Sequence, residues 1–251
     1  MHRIALKPLA AAISAAVLAS APASIAAQDA PPLPGRGHFS VGYIELDLDE
    51  LNADLQDGGF PALDGSFLTL GGGGYGTRGR LLIGGEGHGL LGSDATTADG
   101  STQVSVGGGY GLFKLGYLAF AQNGLEVFPS VGIGGGGMHV QIVERSAPTF
   151  GDIIADPQRS SKLSAGSFLM DVAGTAHFRF APGDEGEDAG DDDEGENPGG
   201  MLIGLQAGYT FAPGSSRWTL DDINSVAGGP TLNMQGFYFR ISVGGWGGGD
   251  R

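Results

Sequence analysis

The strongest constraint on this chain is a two-residue alternation of apolar and polar side chains that changes face partway along its runs. A period of two belongs to the β-strand, where successive side chains point to opposite sides. The two runs that flank Gln122-Asn123-Gly124 carry it most clearly. Read as a hairpin with that three-residue loop and Gly124 in the left-handed position, they set Ala121 opposite Leu125. Phe113 then faces Ile133, Leu115 faces Val131, Tyr117 faces Pro129 and Ala119 faces Val127, all on one side. Lys114 with Gly132, Gly116 with Ser130, and Phe120 with Glu126 occupy the other. A slip of one residue would scramble this sorting. Farther from the turn the apolar residues take the opposite parity, as Val104, Val106, Met138, Val140 and Ile142.

Other runs switch in the same way. Phe39, Val41 and Tyr43 share a parity, then Ile44, Leu46 and Leu48 take the other while Glu45, Asp47 and Asp49 replace them. At the far end Phe237, Phe239, Ile241 and Val243 alternate with Tyr238, Arg240 and Ser242, whereas Leu232 and Met234 upstream have the reverse parity. In all, eight β segments are predicted, at about 37–48, 66–76, 79–91, 102–120, 125–144, 162–181, 200–212 and 233–246. The one helix expected is short, Asp49 to Gln56, with Leu51 and Leu55 spaced i,i+4 and Gly58-Gly59 ending it.

An up-and-down antiparallel barrel of two zones accounts for the switch. One zone, about ten residues tall, has an apolar outside and a polar inside, as lipid requires. The other has a polar outside and an apolar inside, and projects into water. A soluble sandwich would bury one parity throughout. Phe39, Tyr75, Tyr117, Phe178, Phe180 and Trp246 fall near the turn ends of their strands, as expected of aromatics at a membrane–water boundary.

The first 27 residues set the compartment. Arg3 and Lys7 precede an apolar stretch from Leu9 to Leu18, then small residues up to Ala26 and Ala27. This order predicts a secretory signal peptide cleaved after Ala26 or Ala27. Its apolar core is too short to span a bilayer, which needs about 20 residues. Residues 28–36 read as a linker, 37–246 as the barrel, 183–199 as an acidic insertion and 247–251 as a tail. With no cysteine in the chain, a disulfide framework and a thiolate metal site are excluded. Beyond residue 27 there are 11 Lys and Arg against 28 Asp and Glu, so nothing offers a nucleic-acid phosphate the cations it needs. The 49 glycines cluster inside the strands, at 71–74, 84–89, 107–109 and 134–137, and mark a wall that is curved or closely packed.

In this architecture, residues 37–246 resemble the small eight-stranded outer-membrane barrels of Gram-negative bacteria, OmpA-like and OmpX-like in the broad sense. The resemblance implies a monomer in the outer membrane, with lipid and the barrel-assembly machinery as partners. It also implies that Gln235 to Trp246, with Phe237, Phe239 and Trp246, serves as the assembly signal.

The predicted interior of the lipid zone carries His38, Glu86, His88, Lys114, Asp171, His177, Arg179, Gln206, Tyr238 and Arg240. Opposite charges there are expected to pair as a structural plug, since an unpaired buried charge is costly. A small solute or ligand cavity is the competing use of the same residues. No cofactor, metal site or catalytic residue is expected. The best hydrolytic grouping, His139 with Ser105 or Ser167, lacks a nucleophile-elbow sequence. The expected role is structural, adhesive or solute-binding. A soluble periplasmic or secreted Gly-rich β module is the alternative, and a lipid-modifying hydrolase comes third. The acids from Asp184 to Glu196 lack the order of a calcium loop and read as a solvated run. Deleting Asp184–Glu196 should leave folding intact, because the segment has no large apolar residue to bury; an unchanged denaturant midpoint checks this.

Overall fold

The computed structural model describes residues 35–145, 149–155, 160–180, 199–214 and 217–247. The predicted signal peptide, the acidic run Asp184–Glu196 and residues 248–251 lie outside the described residues. In chain order the elements are β1 (Gly35–Glu45), α1 (Asp49–Asp57), β2 (Ser66–Arg78), β3 (Leu81–Thr96), β4 (Thr102–Tyr117), β5 (Phe120–Gln122) and β6 (Leu125–Glu144). Then follow α2 (Phe150–Ala155), β7 (Ser160–Phe180), β8 (Gly200–Phe211), β9 (Trp218–Leu220), β10 (Asn224–Val226) and β11 (Gly236–Trp246).

Eight long strands, β1, β2, β3, β4, β6, β7, β8 and β11, pair antiparallel with their neighbours in sequence, and β11 returns to pair with β1. The result is a closed ring. Following paired residues from Arg36 leads through Tyr75, Gly84, Lys114, Gly132, Asp171 and Thr210 to Gly236. Gly236 lies against Glu45 and Leu46, two positions past the Ile44–Tyr238 pair. The circuit thus comes back about ten residues along β1, a stagger that inclines the strands at roughly 40°. The short β9 and β10 form a hairpin added to the end of β7 through Leu163–Leu220 and Ser164–Thr219.

Along β4 and β6 a single register runs unbroken from Thr102–Glu144 to Gly116–Ser130, so the change of apolar face needs no bulge between them. Phe113, Leu115, Val131 and Ile133 are exposed, whereas Val104, Val106, Met138 and Val140 are buried. Likewise Phe39, Val41 and Tyr43 point outward and Ile44, Leu46 and Leu48 inward. Most of the buried apolar residues gather in one cluster at the end away from the β2–β3 and β5–β6 turns. Helix α1 helps close that end. Asp49 and Glu50 sit in its first turn, where the helix dipole favours acids, and Leu51 and Leu55 supply its buried face. Gly58 and Gly59 end it, as expected, Gly59 with φ +81°. The Asn52 side chain then bonds both backbone groups of Leu63, at 2.8 and 2.9 Å, and fixes the returning loop.

The structure corrects four details. The β5–β6 turn has two residues, not three: Asn123 and Gly124 both have positive φ, and Gln122 pairs with Leu125. Two-residue turns of this kind match strand twist. Ala121 therefore pairs with Glu126, and Phe120 pairs with Val127 on the outside. The extra residue is absorbed at 117–119, where β4 ends and Leu118 tucks against Tyr75, Leu82 and Phe128. Tyr75 itself is buried, not at an outer boundary. Finally, β1 starts at Gly35, two residues into the predicted linker, and α2 and the β9–β10 hairpin were not predicted.

The face switch makes a direct prediction within β1 and its extension. Leu46 is 4% exposed, so Leu46→Asp should destabilise by about 3 kcal/mol or more through burial of an unpaired charge. Glu45→Lys, on the solvent side, should stay within about 0.5 kcal/mol. Denaturant unfolding of the two variants checks the pair.

Candidate functional site in the ring interior

Midway along the apolar outer belt most inner positions are polar, and the eight strands bring those residues to one axis. The space is narrow. A Cβ built on Gly42 would come within 2.5 Å of the Arg240 side chain, one on Gly132 within 2.8 Å of Lys114, and one on Gly204 within 2.5 Å of His177. Inward glycines therefore supply the room that the long polar side chains paired with them on the neighbouring strand occupy.

Glu86 is the hub. Its carboxylate accepts hydrogen bonds from the Tyr75 hydroxyl, from Gln206 Nε2 at 2.9 Å and from Arg240 Nη1 at 3.5 Å. Lys114 Nζ stands 3.8 Å away and His88 Nε2 3.7 Å away. Lys114 also pairs directly with Asp171, which accepts a second bond from the Tyr238 hydroxyl at 2.8 Å. Arg240 donates to Gln206 Oε1 at 2.8 Å and to the Tyr110 hydroxyl, and its guanidinium stacks 3.7 Å from the Tyr238 ring centroid. Two cations, Lys114 and Arg240, thus balance two carboxylates, Glu86 and Asp171.

A second ionic cluster lines the turn end. Glu126 pairs with Arg36 and, at 3.1 Å, with Arg179 Nη1. Arg36 also donates to Thr77 Oγ1 at 3.2 Å, and Arg179 lies 4.4 Å from the Trp246 ring centroid.

His38, Glu86, His88, Lys114, Asp171, His177 and Arg240 point into the ring, as do Gln206 and Tyr238. Arg179 lies at the turn-end mouth, partly exposed. Sequence reasoning missed Arg36, Tyr75, Tyr110 and Glu126 as members. Arg36 has the parity of His38, and Tyr110 that of Lys114, so the signal for both lay in the alternation. Glu126 was assigned to the correct face with the wrong partner.

This arrangement holds strands together, and among the described residues no hydrogen bond joins an interior serine to a histidine or a carboxylate. His139 lies outside the network on β6, its ring over Gly107, and among the described residues no hydrogen bond joins it to Ser105 or Ser167. Ser167 Oγ instead donates to the Gly214 carbonyl at 3.0 Å. Burial, followed by the charge of Lys162, lowers the His139 pKa. Among the described residues no three His, Asp or Glu side chains are grouped to hold a metal. On one side the ring interior ends against the large apolar cluster around Phe67, Leu90 and Leu169; toward the turns Tyr75, Leu82 and Phe128 narrow it.

No protein-family model matches the chain, and a search of curated proteins returns no match.

The Lys114–Asp171 pair is fully buried. Lys114→Met should therefore cost about 3–5 kcal/mol, because it leaves a carboxylate buried without its cation. Replacing both partners, Lys114→Met with Asp171→Leu, should recover most of that loss. Denaturant unfolding, read by tyrosine and tryptophan fluorescence, checks both.

Proposed function

We propose that the ring is a transmembrane β-barrel of a bacterial outer membrane and that its role is structural or adhesive. The interior serves as a plug, and the projecting part is presented to solvent. The observation that carries this reading is the outer face of the ring. All eight strands contribute large exposed apolar side chains to it, among them Phe39, Leu70, Ile83, Phe113, Ile133, Val172, Leu205 and Phe239. A soluble monomer rarely exposes a contiguous apolar patch beyond a few hundred Å², and here the patch surrounds the molecule. On β8 it runs from Met201 to Phe211, which matches the roughly 9–11 residues a tilted strand uses to cross the hydrocarbon.

Two further features favour a scaffold over a pore or an enzyme. Ion pairs fill the axis at the level of the apolar belt, and the cavity among them, beside Glu86, measures about 10 Å³. The projecting part has a packed apolar interior and a polar exterior, the pattern of a water-soluble domain. Lipid and the assembly machinery are the partners this reading requires, with Gln235–Trp246 as the segment the machinery would read. No nucleic acid, cofactor or second subunit enters it.

Expression with export, followed by fractionation, tests the reading. The protein should stay with outer membranes after carbonate washing and show heat-modifiable gel mobility; recovery as a detergent-independent soluble monomer would overturn it. Val41, exposed in the middle of the belt, adds a sharper test. Val41→Asp should lower folding stability in liposomes by up to a few kcal/mol. If the same substitution is neutral in liposomes, that face does not meet lipid.

A further inference from the structure

The ring interior holds more polar atoms than its own side chains can satisfy. His38 Nδ1, Ser40 Oγ, Thr175 Oγ1, His177 Nδ1 and Arg240 Nε are all buried, and no protein group bonds to them. The side chains that carry these atoms come from β1, β7 and β11 and line one cavity of about 10 Å³, shared with Glu86 and Ser242. Buried polar atoms in native proteins almost always have partners, supplied by the protein or by ordered water. A cavity of this size accepts one water, which needs two to four polar neighbours. An organic solute does not fit. Arg240 in the wall, with Lys114 bonded to Asp171 nearby, opposes a metal cation.

We propose that this cavity is a hydration site, where one ordered water bonds His38, Ser40, Thr175 and His177 between the two ionic clusters. His177 sits directly across from Glu126 in the β6–β7 register, beside the Arg36–Glu126–Arg179 cluster. On the other side His38 stacks on Tyr75, whose hydroxyl donates to Glu86. The water lies between these two groups. It also exchanges with solvent from one end. The Arg179 side chain at the turn end is 35% exposed, whereas the opposite end lies beneath the apolar cluster under α1. The interior is therefore a hydrated column with one mouth, whether or not the outer wall meets lipid.

Water-to-imidazole magnetisation transfer in the folded, histidine-labelled protein in detergent micelles tests the site. Cross-peaks from water are expected at both His38 and His177. Thr175→Val, which replaces the hydroxyl with a methyl of similar size, should abolish the His177 signal while the amide spectrum stays folded. Arg179→Met, which loosens the mouth, should speed exchange, and Leu51→Ala at the sealed end should leave it unchanged. Silent imidazoles in the folded wild type would overturn the hydration site. Faster exchange in Leu51→Ala with none in Arg179→Met would overturn the single mouth. The readout needs no bilayer, so a failure of the membrane reading in fractionation remains separate from a failure here.

Discussion

Closure is the constraint on which the rest of this structure depends. Each of the eight ring strands has its hydrogen-bonding edges occupied by a neighbour over the belt, and β11 completes the circuit against β1. A closed ring with this number of strands and this stagger has an interior only wide enough for side chains to fill. Its radius decides what the inner positions can be. Arg240, Lys114 and Glu86 reach across the axis because Gly42, Gly132 and Gly73 stand where side chains would collide with them. The abundance of glycine and the long charged residues are two halves of one packing solution.

Charge pairing follows from the same narrowness. A carboxylate such as Asp171, 1% exposed, keeps its charge at tolerable cost only with a cation and further donors in contact. Lys114 and Tyr238 meet that need from β4 and β11, on opposite sides of the circuit. The network thus ties together strands that share no backbone hydrogen bond, and it does so at the height where the outer wall is apolar. Above that height the interior becomes apolar, and the burden of holding the ring passes to Phe67, Leu90, Val140, Leu169 and their neighbours.

Much of this was legible in the sequence because a period of two leaves little freedom. The parity of Phe113 and Lys114, or of Phe239 and Arg240, is enough to say which side each occupies, and the switch at Ile44 and Leu46 is visible without coordinates. What parity cannot reveal is partnership. That Lys114 meets Asp171 depends on the stagger of the ring, which emerges only when all eight registers are known. Local irregularities were also hidden. The extra residue at 117–119 shifts Phe120 to the outside; Asn123-Gly124 favours a two-residue turn, but the unbroken apolar sorting up to Ala119 gave no sign of the irregularity that such a turn requires before it. Tyr75 was misplaced because its aromatic character outweighed its parity. The β9–β10 hairpin comprises two strands of three residues each, too short for alternation to register.

The inversion along the ring also gives the molecule a direction. On the membrane reading, the half that carries Leu46, Val104 and Met234 inside bears a water-facing exterior, and once packed it could not pass through hydrocarbon without dragging Glu45, Asp47 and Lys162 with it. That half would have to cross as an unpacked chain and consolidate on the far side. The stored energy of its core would then act as a ratchet, making arrival irreversible and leaving the turn end always facing the side from which the chain came.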